Sequence, residues 1–334
     1  MIEFTVALPV RDGWPYIKAC VDSVLAQSYP CFELIILDNA STDKTATWLS
    51  TLSDPRIFVE RSSKSLSIEQ SWARIKTIRK KEFITTIGHD DLLDPGFLAA
   101  IVRMIEIRPD AALYQTGSCF IDFEGKRIRA CKSMPCEETA ADYLKARFSF
   151  SRDAFGTGFV MRSRDYDEVG GIPSFDKLFF ADDALWVSLM QRGPKISDPR
   201  ELFSVRLHSR SESASLPGIW RPLLKGLKQF HDFLDEVAAK NASIREIVDG
   251  MGPDFFLTYH RNALIFALIE ACENGHVIAR DVIQQIRESL ALCASAREGE
   301  LTVSRRVRTI SILNASPFRR MVGGMWQLYR RLKT

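Results

Sequence analysis

Two aspartates stand side by side in GHDDLLDPGF, Asp90 and Asp91, directly after the apolar run EFITTI. Asp38 closes a second such run, FELIIL, and Asp12 lies just beyond a third, FTVALPV. Adjacent carboxylates repel, and the repulsion is relieved when a cation arrives. Mg²⁺ and Mn²⁺ prefer oxygen ligands and bridge protein carboxylates to phosphates, so acids at these ends predict a site for a divalent cation with a phosphorylated ligand. The plainer reading is a polar loop in which Asp94 caps the next helix and the other two acids are solvated.

The elements that must carry these acids follow from periodicity. FTVALPV, FELIILD, RIFVER, EFITTIG and AALYQTG read as strands, separated by the helical patterns YIKACVDSVLAQ, STDKTATWLSTL, SIEQSWARIKTIRK and PGFLAAIVRMIEI. That alternation predicts an α/β fold, a mostly parallel sheet flanked by helices, with ligands outside the carboxyl ends of its strands. Ser67 with Gln70 predicts a capping box, and Asp94 before Pro95 a helix start. CFIDFEGKRIRA predicts a hairpin turning at Glu124 and Gly125. Beyond Ser209 the pattern becomes helical: WRPLLKGLKQFHDFLDEVAAK, DFFLTYHRNALIFALIEACE and IARDVIQQIRESLALCA. The expected division is residues 1–210 and 211–334, at the polar stretch SRSESASLPG.

Composition excludes several classes. Of 334 residues, 46% are hydrophobic and 26% charged, ordinary for a globular chain. The seven cysteines lack a CxxC pair, so neither a disulfide framework nor a thiolate zinc site is predicted. The start, MIEFTVALPV, reads as a strand rather than a signal peptide, and even NALIFALI stops at Glu270, far short of a spanning helix. A cytoplasmic chain is expected, without a nucleic-acid partner. The segment from Leu301 to Thr334 carries eight basic residues and no acids. A helix from Phe318 to Lys333 gathers Phe318, Met321, Val322, Met325, Leu328, Tyr329 and Leu332 on one face, which predicts either an anionic membrane surface, peripheral at the inner face of the cell membrane, or a contact within the protein or a homo-oligomer.

TVALPVRDGWPYIKACVDSVLAQSYPCFELIILDNASTDKT followed by GHDDLLDPGFL resembles the nucleotide-binding half of the inverting family 2 glycosyltransferases with the GT-A fold. The resemblance continues through GTGFVMRSRDYDEVGGI, FFADDALWVSLMQRG and VRLHSRSES, covering residues 3 to 213. It implies that Pro9, Arg11 and Asp38 border the nucleobase and ribose. Asn39 stands where many relatives carry an aspartate that accepts from the uracil imide, and an amide carbonyl also accepts, so a UDP-sugar donor is favoured. Asp90 and Asp91 would be the DxD-type pair, with Asp91 the direct ligand of Mn²⁺ or Mg²⁺, and His89 fills the motif's first position. The last acid of the pair Asp182 and Asp183 would be the catalytic base, hence Asp183 with Asp182 as its fallback. His208 would be a further metal ligand, and Arg206 and Arg210 phosphate contacts. GTGF would shape a turn near the acceptor.

The implied reaction is metal-dependent transfer of a sugar from a nucleotide-diphosphate donor to a hydroxyl of a glycan or lipid-linked glycan, in surface polysaccharide or glycolipid assembly. A sugar-1-phosphate nucleotidyltransferase is the alternative enzyme, but LPVRDGWPYI lacks that class's glycine-rich phosphate loop. A non-catalytic sugar-nucleotide or glycan-binding module would need no base at Asp182 and Asp183.

Overall fold

The computed structural model describes residues 1–208 and 218–332. It forms two compact units, Met1–Ser174 with Ala181–Leu207, and Phe175–Phe180 with His208–Thr334. A division at residue 210 therefore overlooks the short segment Phe175–Phe180, which belongs with the helices.

The first unit is built on ten strands: β1 (Phe4–Val10), β2 (Phe32–Asp38), β3 (Ile57–Arg61), β4 (Phe83–Thr86), β5 (Leu92–Leu93), β6 (Leu113–Ile121), β7 (Arg127–Ala130), β8 (Glu137–Glu138), β9 (Phe159–Arg162) and β10 (Lys195–Arg206). The sheet order is β3-β2-β1-β4-β9-β6-β10-β5, with β7 on β6 and β8 on β10. The first four strands run parallel, β9 runs against both β4 and β6, and β10 is parallel to β6. β1 and β2 are buried along their whole length, in keeping with their near-continuous apolar runs, and the polar Thr5 and Glu33 inside them hydrogen-bond to each other. At the edge, β3 alternates nothing and is mostly exposed. The β6–β7 hairpin turns through Gly125 at φ +88°, a conformation suited to glycine.

Helices α1 (Tyr16–Leu25), α2 (Lys44–Leu49), α3 (Ile68–Ala73), α4 (Phe97–Ile107), α5 (Ala140–Phe148), α6 (Ser163–Glu168) and α7 (Ala181–Met190) complete the unit. The Ser67–Gln70 capping box is present, side chain to backbone in both directions. The expected start at Asp94 and Pro95 shifts: α4 begins at Phe97 with Gly96 as its cap, because Asp94 Oδ1 takes the Gly96 N–H and forms a tight turn ahead of the helix.

The second unit contains α8 (Trp220–Ala238), α9 (Ala242–Glu273), α10 (Arg280–Ala294), α11 (Arg305–Ala315) and α12 (Arg319–Leu332). α9 starts well before the expected Asp254 and runs through Pro253. Asn241 caps it at Ile244 N–H, and the burial of Val248 and Gly252 before the proline and of Phe255 and Phe256 after it holds both halves in one helix. Phe180, Phe230, Phe255 and Tyr259 form a ring cluster at its core. α12 lies against the end of α9 at Gly323, where an added Cβ would come within 2.7 Å of Glu273 Cα. Phe318, Met321 and Met325 face outward, about 60% exposed each. Among the described residues, no helix is long and apolar enough to cross a membrane.

Candidate active site

The carboxyl ends of β1, β2 and β4 bring three loops together. Val10 and Asp38 are register partners on β1 and β2, and Asp38 is buried. Its Oδ1 accepts from Ser41 N–H, Oδ2 lies 3.4 Å from Arg61 Nε, and Arg74 Nη1 donates to its carbonyl. Asp12, at φ +51°, ties the β1 loop across to the next one by accepting from the backbone N–H groups of Thr42 and Asp43. Pro9 is buried within β1, whereas Arg11 is exposed beside Asp12. The His89 ring rests on Gly13, where a Cβ would sit 3.0 Å from His89 Cδ2, so His89 closes the β4 loop onto the β1 loop.

Asp90 and Asp91 lean over Gly88. A Cβ there would be 2.8 Å from Asp90 Oδ1 and 2.9 Å from Asp91 Oδ2, so glycine is what lets the two carboxylates converge. Asp91 Oδ1 accepts from Arg206 N–H at 3.0 Å and Oδ2 from Thr157 Oγ1 at 2.9 Å. Burial and then the charge of Asp90 push Asp91 up to about 8. A carboxylate has lone pairs beyond these two hydrogen bonds. Two carboxylates with a ligand's phosphates are the donor set Mg²⁺ or Mn²⁺ takes, so these residues fit the cation, although among the described residues no group of three or more His, Cys, Asp or Glu gathers.

Thr157 belongs to the GTGF strap. Gly158 N–H donates to Thr86 O, and at φ +75° a Cβ on Gly158 would strike the Phe203 ring at 2.8 Å. The strap can cross the end of β4 this closely because glycine occupies that position. One residue earlier, Gly156 lies against Asp182, its Cβ position 3.4 Å from Asp182 Cβ. The strap thus joins the two acidic pairs, which lie far apart in sequence.

Within the second pair the environments differ. Asp183 is buried and held by Arg147 in a two-point fork (Nε–Oδ1 2.6 Å, Nη2–Oδ2 2.8 Å), with Tyr143 Oη donating to Oδ1 at 2.6 Å. Asp182 is partly buried, and its Oδ1 accepts from Asp183 N–H at 2.9 Å. Burial, then the neighbouring Asp183 charge, push Asp182 up to about 7. Tyr143 and Arg147 were not singled out in the sequence. They stand four apart on α5 behind the capping box of Thr139 and Asp142, and that spacing puts an aromatic hydroxyl and a guanidinium on one helix face.

Two residues expected at the ligand, Asn39 and Arg206, are committed elsewhere. The Asn39 carbonyl accepts from Leu66 N–H (2.8 Å) and its amide donates to Leu66 O (3.0 Å), so the acceptor atom meant for a uracil imide pins the 62–66 loop instead. Arg206 is buried, donates from Nε to Asp90 O and from Nη1 to Asp122 O and Phe123 O, and packs over the Tyr16 ring. It secures the acidic loop rather than reaching outward to a phosphate. Trp186 is buried, stacked on Phe159 at 4.2 Å. His208 opens the second unit; Arg210 lies outside the described residues.

A sheet with acids at its parallel carboxyl ends and a second acidic pair brought in by a glycine strap is a GT-A-type catalytic domain. Residues 5–170 match the model of glycosyl transferase family 2, and the domain belongs to that family. An uncharacterized glycosyltransferase of Rickettsia felis is 21% identical over 86% of the chain and 47% of its own length. The chain spans about half or less of the length of the curated relatives it matches. Among solved structures, residues 1–349 of TarS from S. aureus superpose with TM-score 0.59 at 13% identity, covering 98% of this chain and 92% of that one. The mannosyltransferase PcManGT from Pyrobaculum calidifontis, solved with GDP-Man and Mn²⁺, superposes with TM-score 0.53 at 15% identity over 97% and 87%.

Proposed function

We propose that the chain transfers a sugar from a nucleotide-diphosphate donor to an acceptor hydroxyl with inversion, and that Asp182 is the base. The observation that carries this reading is the asymmetry of the pair: Asp183 is locked by Arg147 and Tyr143, while Asp182 is unforked and shifted to the pH range where a carboxylate both accepts a proton and is charged. Asp183, the first choice on sequence, is thereby a positioning residue whose charge raises its neighbour. In a single displacement, Asp182 takes the acceptor's proton as the acceptor oxygen attacks the anomeric carbon, and the diphosphate leaves from the opposite face.

Asp91, with Asp90 beside it, would hold a divalent cation. When bound, the cation supplies Lewis-acid stabilisation of the departing diphosphate. Asp38, Pro9 and Arg11 border the base and ribose, with Asp38 set by Arg61 and Arg74. A uridine donor is supported by the S. aureus TarS structure with UDP-GlcNAc, TM-score 0.56, whereas the pairing of Asn39 with Leu66 removes one argument for it. The reading is tested by calorimetric titration of UDP and GDP with Mn²⁺ and with EDTA. Binding is expected with Mn²⁺ and not with EDTA, and Asp91→Ala is expected to abolish the difference; equal affinity in both buffers would remove the metal.

The acceptor is proposed to be a lipid-linked glycan at an anionic membrane surface. The outward Met321 and Met325 stand on α12 with Arg319 and Arg320, the exposed Phe318 lies in the turn just before it, and no acid is nearby in sequence, the combination of apolar and cationic side chains that binds anionic bilayers. Flotation with anionic liposomes is expected to carry the protein, less so as salt rises, and truncation after Asn314 to abolish it. A full-length protein that stays with the soluble fraction at low salt would assign this face to a second copy of the chain or to another protein.

A further inference from the structure

Next to the second acidic pair lies a buried charge cluster that transfer as described above does not employ. Glu138 accepts a two-point fork from Arg152 (both contacts 2.8 Å) and, on Oε1, Lys195 Nζ at 2.5 Å. Lys195 is fully buried, Glu138 is 2% exposed and Arg152 8%. Two cations therefore share one carboxylate. The other contacts of Lys195 are neutral, Gln115 Oε1 at 2.8 Å and Met134 Sδ at 3.3 Å, and the buried Nε–H of Arg152 has no acceptor. Excess buried charge and an orphaned donor are both costly without a partner, and an anion beside Arg152 would accept from the orphaned donor and offset the excess charge. Burial pulls Lys195 down to about 8 against the pull of Glu138, which leaves it charged at neutral pH.

A cleft opens over this cluster, lined by Arg152, Lys132, Ser118, Tyr143, Phe155 and Phe159 among others. Asp153 at the same cleft does not supply the missing negative charge, since the Arg129 fork and Lys132 N–H occupy it. The cleft adjoins the candidate base: Tyr143 in its wall donates to Asp183, and Phe155 in its wall leads into Gly156, which lies against Asp182.

We propose that this cleft binds an anionic group, phosphate or carboxylate, carried by the acceptor beside the hydroxyl that receives the sugar. The word acceptor rests on the transferase reading; the binding of an anion does not. The test is calorimetry with inorganic phosphate, and with acetate, at constant ionic strength in EDTA, which silences the metal-dependent diphosphate site. Saturable binding of one of them is expected. Arg152→Met should abolish it, but that variant breaks a buried pair, so Lys132→Glu decides. The exposed Lys132 ammonium donates only to Phe150 O among the described residues, so the variant should weaken binding about tenfold or more with only a small change of the thermal midpoint in anion-free buffer. Glu138→Gln, which removes the competing carboxylate, should tighten binding.

No saturable binding of either anion, or binding unaltered by Lys132→Glu, overturns the proposal. If an anion binds as described but no nucleotide sugar is turned over, the transferase reading fails and the anion cleft stands. If turnover is found and neither anion binds, the cleft fails alone.

Discussion

Asp182→Asn is expected to lower sugar transfer about 10²- to 10⁴-fold while leaving nucleoside-diphosphate binding intact, because a general base acts on the acceptor's proton and not on the donor. The pH profile gives the same assignment a second readout. A base works only when deprotonated, so kcat/KM should rise tenfold per pH unit through the acid range and level off above about 7, where Asp182 titrates. Asp183→Asn removes the like charge beside Asp182 and leaves the Arg147 cation unmatched. Both changes favour the Asp182 carboxylate, so the acid limb of the remaining activity should move to lower pH. Near-native turnover in Asp182→Asn together with an inactive Asp183→Asn would return the base to Asp183.

Arg147→Met is expected to destabilise the first unit by about 3–5 kcal/mol, the cost of leaving one member of a buried ion pair alone. Asp183 is 2% exposed, so water cannot replace the guanidinium fork, and the Tyr143 hydroxyl supplies one hydrogen bond where three were present. Removing both charges in Arg147→Met with Asp183→Leu should recover most of the loss, since an apolar pair of similar volume avoids the desolvation cost altogether. Urea unfolding of the two single variants and the double variant forms the cycle. A single-variant loss below about 1 kcal/mol would mean that the pair behaves as an exposed one and does not lock Asp183.

Local pattern was enough for much of the architecture. A strand buried on both faces needs a near-continuous apolar run, and FTVALPV and FELIILD are such runs, interrupted by Thr5 and Glu33, which hydrogen-bond to each other, and closed by Asp38. The capping box at Ser67 and the hairpin at Gly125 are equally local, each set by residues within a few positions of one another. The acids at strand ends could be found the same way, because the end of an apolar run is also the mouth of the sheet. Where local pattern misled, a distant contact outweighed it: α9 passes through Pro253 because burial on both sides of the proline keeps its two halves in register.

The sequence by itself determined the residue types available for chemistry, two acidic pairs and a glycine strap, and the order in which family 2 glycosyltransferases carry them. Which partner each of these side chains takes was decided by tertiary structure. Asp183 is locked by Arg147, 36 positions away; Asn39 is turned to Leu66, 27 positions away; Arg206 is committed to Asp122 and Asp90, 84 and 116 positions away. The physical reason is that a polar side chain removed from water must take the nearest partner that satisfies it. That partner is set by which loops the sheet brings together, not by the residue's neighbours in the chain.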